Sequence, residues 1–357
     1  MEKVIHKYNC IINALPVRCG DCLYINFLDN TSKISRHIIV DAGYSNTYHR
    51  TLKPIIDRLA KEGSEIDLFI LTHTDGDHIG GMKPHIINFG VNGIKQFWFN
   101  YAPTPFTLKD GTDEVSIKQG INLRDYLLKF GKVNSSPILT GHVEKIGDGI
   151  ITVLSPDNEQ FNRFVEEWRN EEPYSEGDVA ITTTTTDYSE PIADLIHNEY
   201  EPDSSWSNRS SIAFVLQLGS KKVMLTGDAH PDVIISALRT QGYTPDNPIQ
   251  LELMKISHHG SKANTSDELI KLVDCQCFLI SSNEGNKHSF PHKEALARVI
   301  WVTHQRRPKT PIHIYFTYNS SILKEIFSSE EQKEFMLICH YPETGNEGIT
   351  ITFCADE

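Results

Sequence analysis

Residues 68–82, LFILTHTDGDHIGGM, carry four ligand-type side chains within six positions, as His73-x-Asp75-x-Asp77-His78. Imidazole nitrogens and carboxylate oxygens are the donors that divalent cations take from proteins. The four follow directly on an apolar run, LFILT, which puts them at the C-terminal end of a buried strand, where α/β proteins place their sites. Alternate residues of an extended turn aim at one point, so His73 and Asp75 are expected to share one cation, and Asp77 and His78 to turn towards a second. Gly76, Gly80 and Gly81 permit a tight backbone path and close approach. A polar loop with two solvated histidines is the competing reading. It suits an isolated His-x-Asp, not four such residues between a buried strand and Gly-Gly.

The elements that must position this loop alternate strand and helix. VIHKYNCIINAL and CLYINFL read as paired strands, and HIIVD as a short apolar strand ending at Asp41. LKPIIDRLAKEG has helical periodicity, with Gly63 as its stop. QFWFNYA reads as a strand and INLRDYLLKFG as a helix. Residues 157–208 are polar, acidic and poorly periodic, with a run of threonines from Thr182 to Thr186. This stretch is expected to be an insertion in the middle of one domain spanning 1–357, either a substrate- or partner-facing lid or a surface excursion. Regular structure resumes with SIAFVLQLG and KKVMLTGD as strands. A helix follows from Pro231, then LELMKIS strand, SDELIKLV helix, CFLISS strand and a helix near Pro291. IHIYFTY, FMLICHY and GITITFC are strands expected to complete the second sheet.

HTDGDHIGG resembles the HxHxDH motif of the metallo-β-lactamase superfamily, in the variant with aspartate as its second histidine. That variant is typical of the hydrolase domain of ComEC-type DNA-uptake proteins and their soluble relatives. Further motifs match in order: RCGDCLYINF, VDAG with Asp41, NRSSIAFVL, LTGDAH with Asp228, KISHHGSK from His258 to Lys262, and SNEGNKHSFPHKEAL with Pro291 and His292. Phe290 stands where the subgroup has a further histidine. The resemblance implies a four-layer αββα sandwich with an insertion in the middle, and Asp228 as the carboxylate bridging both metals. It implies that His258 or His259 completes the second site, its neighbour donating a hydrogen bond or a proton. Asp41 is expected to orient the histidine loop. Relatives supply one more histidine before the bridging aspartate, for which His142 and His197 are the candidates. His292 is expected to be a ligand or a phosphate contact, and Ser261 and Lys262 to contact a phosphate oxygen.

The expected cofactors are two divalent ions, Zn²⁺, Mn²⁺ or Mg²⁺, with a hydroxide formed between them as nucleophile. Asp75 in place of histidine adds hard oxygen and shifts preference towards Mn²⁺ or Mg²⁺, which suit phosphate esters. Asp77, His259, Lys262 and His292 are the expected catalytic side chains.

The formal charge of −13, from 34 Lys+Arg against 47 Asp+Glu, argues against non-specific nucleic-acid coating but leaves a metal-dependent nuclease open. Seven cysteines without an export signal argue against a disulfide framework, and Cys19-x-x-Cys22 reads as two strand-turn cysteines. With no apolar run of membrane-spanning length and an N-terminus unlike a signal peptide, a cytoplasmic protein without membrane contact is expected. The expected activity is a phosphodiesterase or nuclease on nucleic acid or nucleotide. Hydrolysis of a carbon or lipid-headgroup ester is one alternative. The other is a partner-activated effector, as in anti-phage defence, docking through 157–208.

Overall fold

The computed structural model describes residues 9–102, 115–170, 186–284, 286, 288–343 and 348–354. Of the threonine run, only Thr186 falls among them. One sheet has six strands, in the spatial order Ile349–Cys354, Asn9–Ala14, Leu23–Asp29, Ile34–Val40, Leu68–Leu71, Phe97–Phe99. The first four are antiparallel neighbours, and Leu68–Leu71 and Phe97–Phe99 join in parallel. The other sheet has eight strands: Leu337–His340, Ile312–Phe316, Cys277–Ile280, Leu253–Lys255, Lys221–Leu225, Ala213–Leu218, Gly149–Ser155, Val143–Ile146.

Why these strands read as continuous apolar runs follows from the layering. Strands buried on both faces need hydrophobic residues at every position. In the strand Leu68–Leu71, Leu68 and Ile70 point into the core between the sheets, where they meet Phe214, Val223 and Leu225. Phe69 and Leu71 point the other way, into an outer core with Leu52, Ile56 and Leu59 of the helix Leu52–Glu62. Gly63 ends that helix in the left-handed conformation, at φ 67°, as its position in the sequence predicts. A third core lies outside the eight-stranded sheet, where Ile234 and Leu238 of the helix Pro231–Thr240 join Leu296 and Ile300 of the helix Lys293–Arg306. Three apolar layers between four layers of secondary structure make an αββα sandwich.

Two expectations change. The described parts of the 157–208 stretch, expected as an excursion, contribute to the core. Its helix Asn158–Asn170 buries Phe161, Phe164, Val165 and Trp168 against the six-stranded sheet's outer core, and Ile192 and Leu195 sit in the core outside the eight-stranded sheet. Aromatic residues spaced along a charged sequence carry that burial, which mean polarity conceals. The strands near the C-terminus also divide. Ile312–Phe316 and Leu337–His340 extend the eight-stranded sheet, but Ile349–Cys354 pairs antiparallel with Asn9–Ala14 in the six-stranded one.

Glu331 ties the 192–195 turn to the fold. Its carboxylate accepts from the backbone N–H of Ile192 and Ser328, at 2.9 and 2.8 Å, and from Lys293 Nζ at 3.0 Å. Burial opposes the charge, but those two N–H groups and Lys293 outweigh it and hold the carboxyl below its ordinary value. Such a group stabilises the fold while ionised. Glu331→Gln is therefore expected to cost about 1–2 kcal/mol at neutral pH. The gap between wild type and variant should shrink as pH falls below about 4.3, the ordinary glutamate value. Thermal midpoints of the two proteins across that range check this.

Candidate metal centre

The histidine loop leaves the strand Leu68–Leu71 and is held from below by Asp41. The Asp41 carboxylate accepts from Thr72 N and Thr72 Oγ1, both at 2.7 Å, and from His78 Nδ1 at 2.8 Å. With Nδ1 so engaged, His78 presents Nε2 to the centre. His259 is set the same way from the other sheet, its Nδ1 donating to Ser281 O at 2.9 Å. His73 Nδ1 faces Ser211 Oγ at 3.0 Å and Thr72 Oγ1 at 3.1 Å. Three imidazoles thus turn Nε2 inward, an orientation that outer hydrogen bonds commonly fix for metal ligands.

These atoms converge on one oxygen, Asp228 Oδ2. His78 Nε2 lies 3.2 Å from it, His259 Nε2 3.5 Å, and His73 Nε2 3.8 Å. Asp77 Oδ2 is 3.2 Å from His259 Nε2, and Asp75 Oδ2 is 3.5 Å from His73 Nε2. Ligand atoms of Asp77, His78, Asp228 and His259 all lie within 4.8 Å of one another. Asp228 therefore stands between a His73–Asp75 pair and an Asp77–His78–His259 group.

The donor set fits divalent cations on two observations. His73 Nε2 is buried with no hydrogen-bond partner. His78 Nε2 and His259 Nε2 face each other at 3.3 Å among carboxylates, an arrangement that neutral rings do not hold without a positive charge between them. Burial works against charge on His78 and His259, yet Asp228 foremost, with Asp41 and Asp77 at His78, holds both rings well above the ordinary imidazole range. Burial likewise opposes ionisation of Asp228, but His78, His259 and His258 keep its carboxyl well below the usual range.

The local backbone is shaped for the same end. Asp41, His258 and His259 adopt left-handed conformations at φ 60°, 47° and 55°, costly for residues with a Cβ and typical of functional sites. Gly81 is required by space, since a Cβ there would clash with Ala42 O, whereas one on Gly76 would meet nothing within 4 Å.

The structure separates the paired histidines. His259 is buried and sits in the cluster. His258 lies beside it, 3.8 Å from Asp228 Oδ2, with its side chain 21% exposed and its Nδ1 held by Asn264 Oδ1 at 2.9 Å and faced by Asp203 Oδ2 at 3.6 Å. His142 is not brought to the centre. Its ring packs edge-on against Trp98 at 5.2 Å and its Nε2 lies 3.8 Å from Glu144, because its loop runs alongside Val153 within the eight-stranded sheet. The segment Ser207–Ser211 occupies the corresponding side instead, with Ser207 Oγ donating to Asp75 Oδ1 at 2.6 Å. His197 lies on the 192–198 turn, its backbone N–H bonded to Asp194 O. Lys262 is no free cation: its Nζ pairs with Glu294 Oε2 at 3.1 Å. His292 caps the helix Lys293–Arg306, and its Nδ1 accepts from Lys262 N at 3.2 Å. Phe290 packs on both His258 and His292, with ring centroids 4.9 and 5.1 Å away.

Beneath the cluster lies a pair the motif reading did not single out. Lys255, fully buried, places Nζ 2.6 Å from Asp21 Oδ2 and donates to Gly227 O at 3.0 Å. Burial would lower its pKa, but Asp21 and then Asp228 hold it above the ordinary lysine value. The only sequence signals are a charged residue in an otherwise apolar strand and the aspartate of RCGD.

Asp41→Ala is expected to lower metal affinity about 10- to 100-fold by freeing the His78 ring, whereas His142→Ala should leave metal content unchanged. Chelator competition with elemental analysis checks both.

The family model described as the metallo-beta-lactamase superfamily matches residues 34–92, a span holding Asp41 and the entire histidine loop. ComE operon protein 3 of Bacillus subtilis (strain 168) is 28% identical over 95 residues, 27% of this chain and 12% of that protein. Recombination protein 2 of Haemophilus influenzae (strain ATCC 51907 / DSM 11121 / KW20 / Rd) is 32% identical over 92 residues, 26% of this chain and 11% of that protein. The matches thus span only about an eighth of these relatives' length. Among solved structures, the metallo-beta-lactamase fold protein YhfI from Bacillus subtilis aligns over 97% of this chain and 100% of its own, at 11% identity and a TM-score of 0.44. Residues 34–92 of this αββα sandwich are thus similar to the metallo-beta-lactamase superfamily.

Proposed function

We propose that the chain is a metal-dependent phosphodiesterase, acting on a nucleic acid or nucleotide, with a binuclear centre built on Asp228. The carrying observation is the convergence on Asp228 Oδ2 of His73 from one side and His78 and His259 from the other. His73, Asp75 and Asp228 would hold one ion; Asp77, His78, His259 and Asp228 the other. Divalent cations held there supply the Lewis acidity that ionises water near neutral pH and offsets charge on an attacked phosphoryl group.

The remaining work falls to the protein's own groups. Asp75 brings a hard oxygen to the first position, which favours Mn²⁺ or Mg²⁺ over a purely nitrogen-ligated zinc. Ser207 fixes that carboxylate through its hydroxyl. His258 is the proton donor to the leaving oxygen, since it borders the cluster, is partly exposed, and keeps Nδ1 bound to Asn264 so that Nε2 is the free end. Burial opposes its charge, while Asp228 and Asp203 raise its pKa and keep the proton available. The name of one matched relative, Recombination protein 2, makes DNA the first polymer to test.

The test purifies the chain without added metal, measures bound metal by elemental analysis, and assays bis-p-nitrophenyl phosphate and DNA with Mn²⁺, Mg²⁺ and Zn²⁺. Wild type is expected to hold two equivalents and to cleave the diester. Asp77→Ala and Asp228→Ala should lose metal and reduce cleavage by about 100-fold or more, the scale on which preorganised charge contributes. Full metal content with no cleavage of any phosphodiester would overturn the phosphodiesterase reading and point to a carbon ester.

A further inference from the structure

A lysine ammonium shut away from water needs an acceptor for each of its three protons. Lys255 is 0% exposed, so water supplies none of them. Two of its protons are accounted for, by Asp21 Oδ2 at 2.6 Å and Gly227 O at 3.0 Å. Asp228 Oδ1 lies 4.0 Å from the same nitrogen and is itself a buried oxygen without a hydrogen-bond partner. The Asp228 carboxylate is thus two-faced. Its Oδ2 takes the close approaches of His73, His78, His258 and His259, and its Oδ1 faces the ammonium.

We propose that Lys255 is a positioning residue whose third proton claims Asp228 Oδ1, so that Oδ2 alone serves both halves of the metal centre. A carboxylate free to rotate about its Cβ–Cγ bond would offer either oxygen to either half, and the two halves would lose their common point. Asp21 anchors the lysine from the facing sheet, where Asp21 N donates to Asp77 O at 3.2 Å and Gly43 N donates to Asp21 O at 2.9 Å. The ammonium therefore registers Asp228, from the eight-stranded sheet, against the loop that carries Asp77, from the six-stranded one. This inference rests on reading the cluster as a metal centre.

The experiment separates a lysine that merely neutralises Asp21 from one that holds Asp228. Metal stoichiometry and affinity are measured with Mn²⁺ and Zn²⁺ on wild type, Asp21→Asn and Asp21→Asn/Lys255→Met, alongside the thermal transition of each metal-free chain. The double variant removes the buried pair without leaving a lone charge. Asp21→Asn is expected to keep wild-type metal affinity, because Lys255 still faces Asp228. The double variant is expected to fold and to bind metal about 10-fold more weakly or worse, the usual scale for losing a ligand's outer hydrogen bond. If the double variant binds like wild type, or if Asp21→Asn alone is as weak as the double, the proposal is overturned. Should the methionine pair show no folding transition, Asp21→Asn/Lys255→Leu, which likewise has no donor, replaces it and is read the same way. Absence of metal from the wild type would instead overturn the metal-centre reading itself.

Discussion

Asp75, Asp77 and Asp228 converge around three inward-facing imidazoles, with Asp21 and Asp41 directly behind them. Carboxylates at such separations repel strongly in a low-dielectric interior, and only interleaved positive charge lets them stay. The Lys255 ammonium supplies part of that charge, and Asp228 foremost holds His78 and His259 above the ordinary imidazole range. Much of the surrounding architecture answers to this electrostatic requirement. Asp41 and Ser281 O fix ring orientation, and both inner faces are apolar where they back the cluster.

Because the six-stranded sheet supplies the His73–His78 loop and the eight-stranded sheet supplies Asp228, His259 and Lys255, the centre is also the polar seam between them. Elsewhere the core between the two sheets is apolar, with Phe27, Trp98 and Phe214 among aliphatic side chains whose attraction has little direction. The seam adds direction, since hydrogen bonds and ion pairs tolerate little displacement. The left-handed backbone at Asp41, His258 and His259 persists because the cluster over-determines it.

The legible part of the centre is the part that is local in the chain. His73, Asp75, Asp77 and His78 occupy six consecutive positions after an apolar strand, so their convergence follows from strand and turn geometry. The four-layer order was legible only through the resemblance that the ordered motifs carry, since strand periodicity by itself does not fix how layers stack. What escaped reading depends on tertiary placement. Whether His258 or His259 enters the cluster is decided by two left-handed residues and by the Ser281 carbonyl, none visible in the letters HHG. His142 follows a glycine much as a ligand would, yet its strand neighbours hold it beside Trp98. Lys255 and Asp21, 234 residues apart in the chain, meet only because the end of one strand faces the loop that precedes another. The helix Asn158–Asn170 hid behind its charges, its four buried hydrophobic residues outweighed in composition by polar neighbours.

The pairing of Asn9–Ala14 with Ile349–Cys354 sets the order in which this molecule can assemble. On a ribosome, the strand Asn9–Ala14 has only Leu23–Asp29 beside it until more than 300 further residues have been made. Until then its other edge exposes unpaired backbone groups, an invitation to pair with another chain. Closing so long a loop is entropically slow, and contacts of high sequence separation slow folding in general. The sheet that carries the histidine loop is therefore complete only once Ile349–Cys354 docks, and until then the open edge of Asn9–Ala14 can pair with another chain.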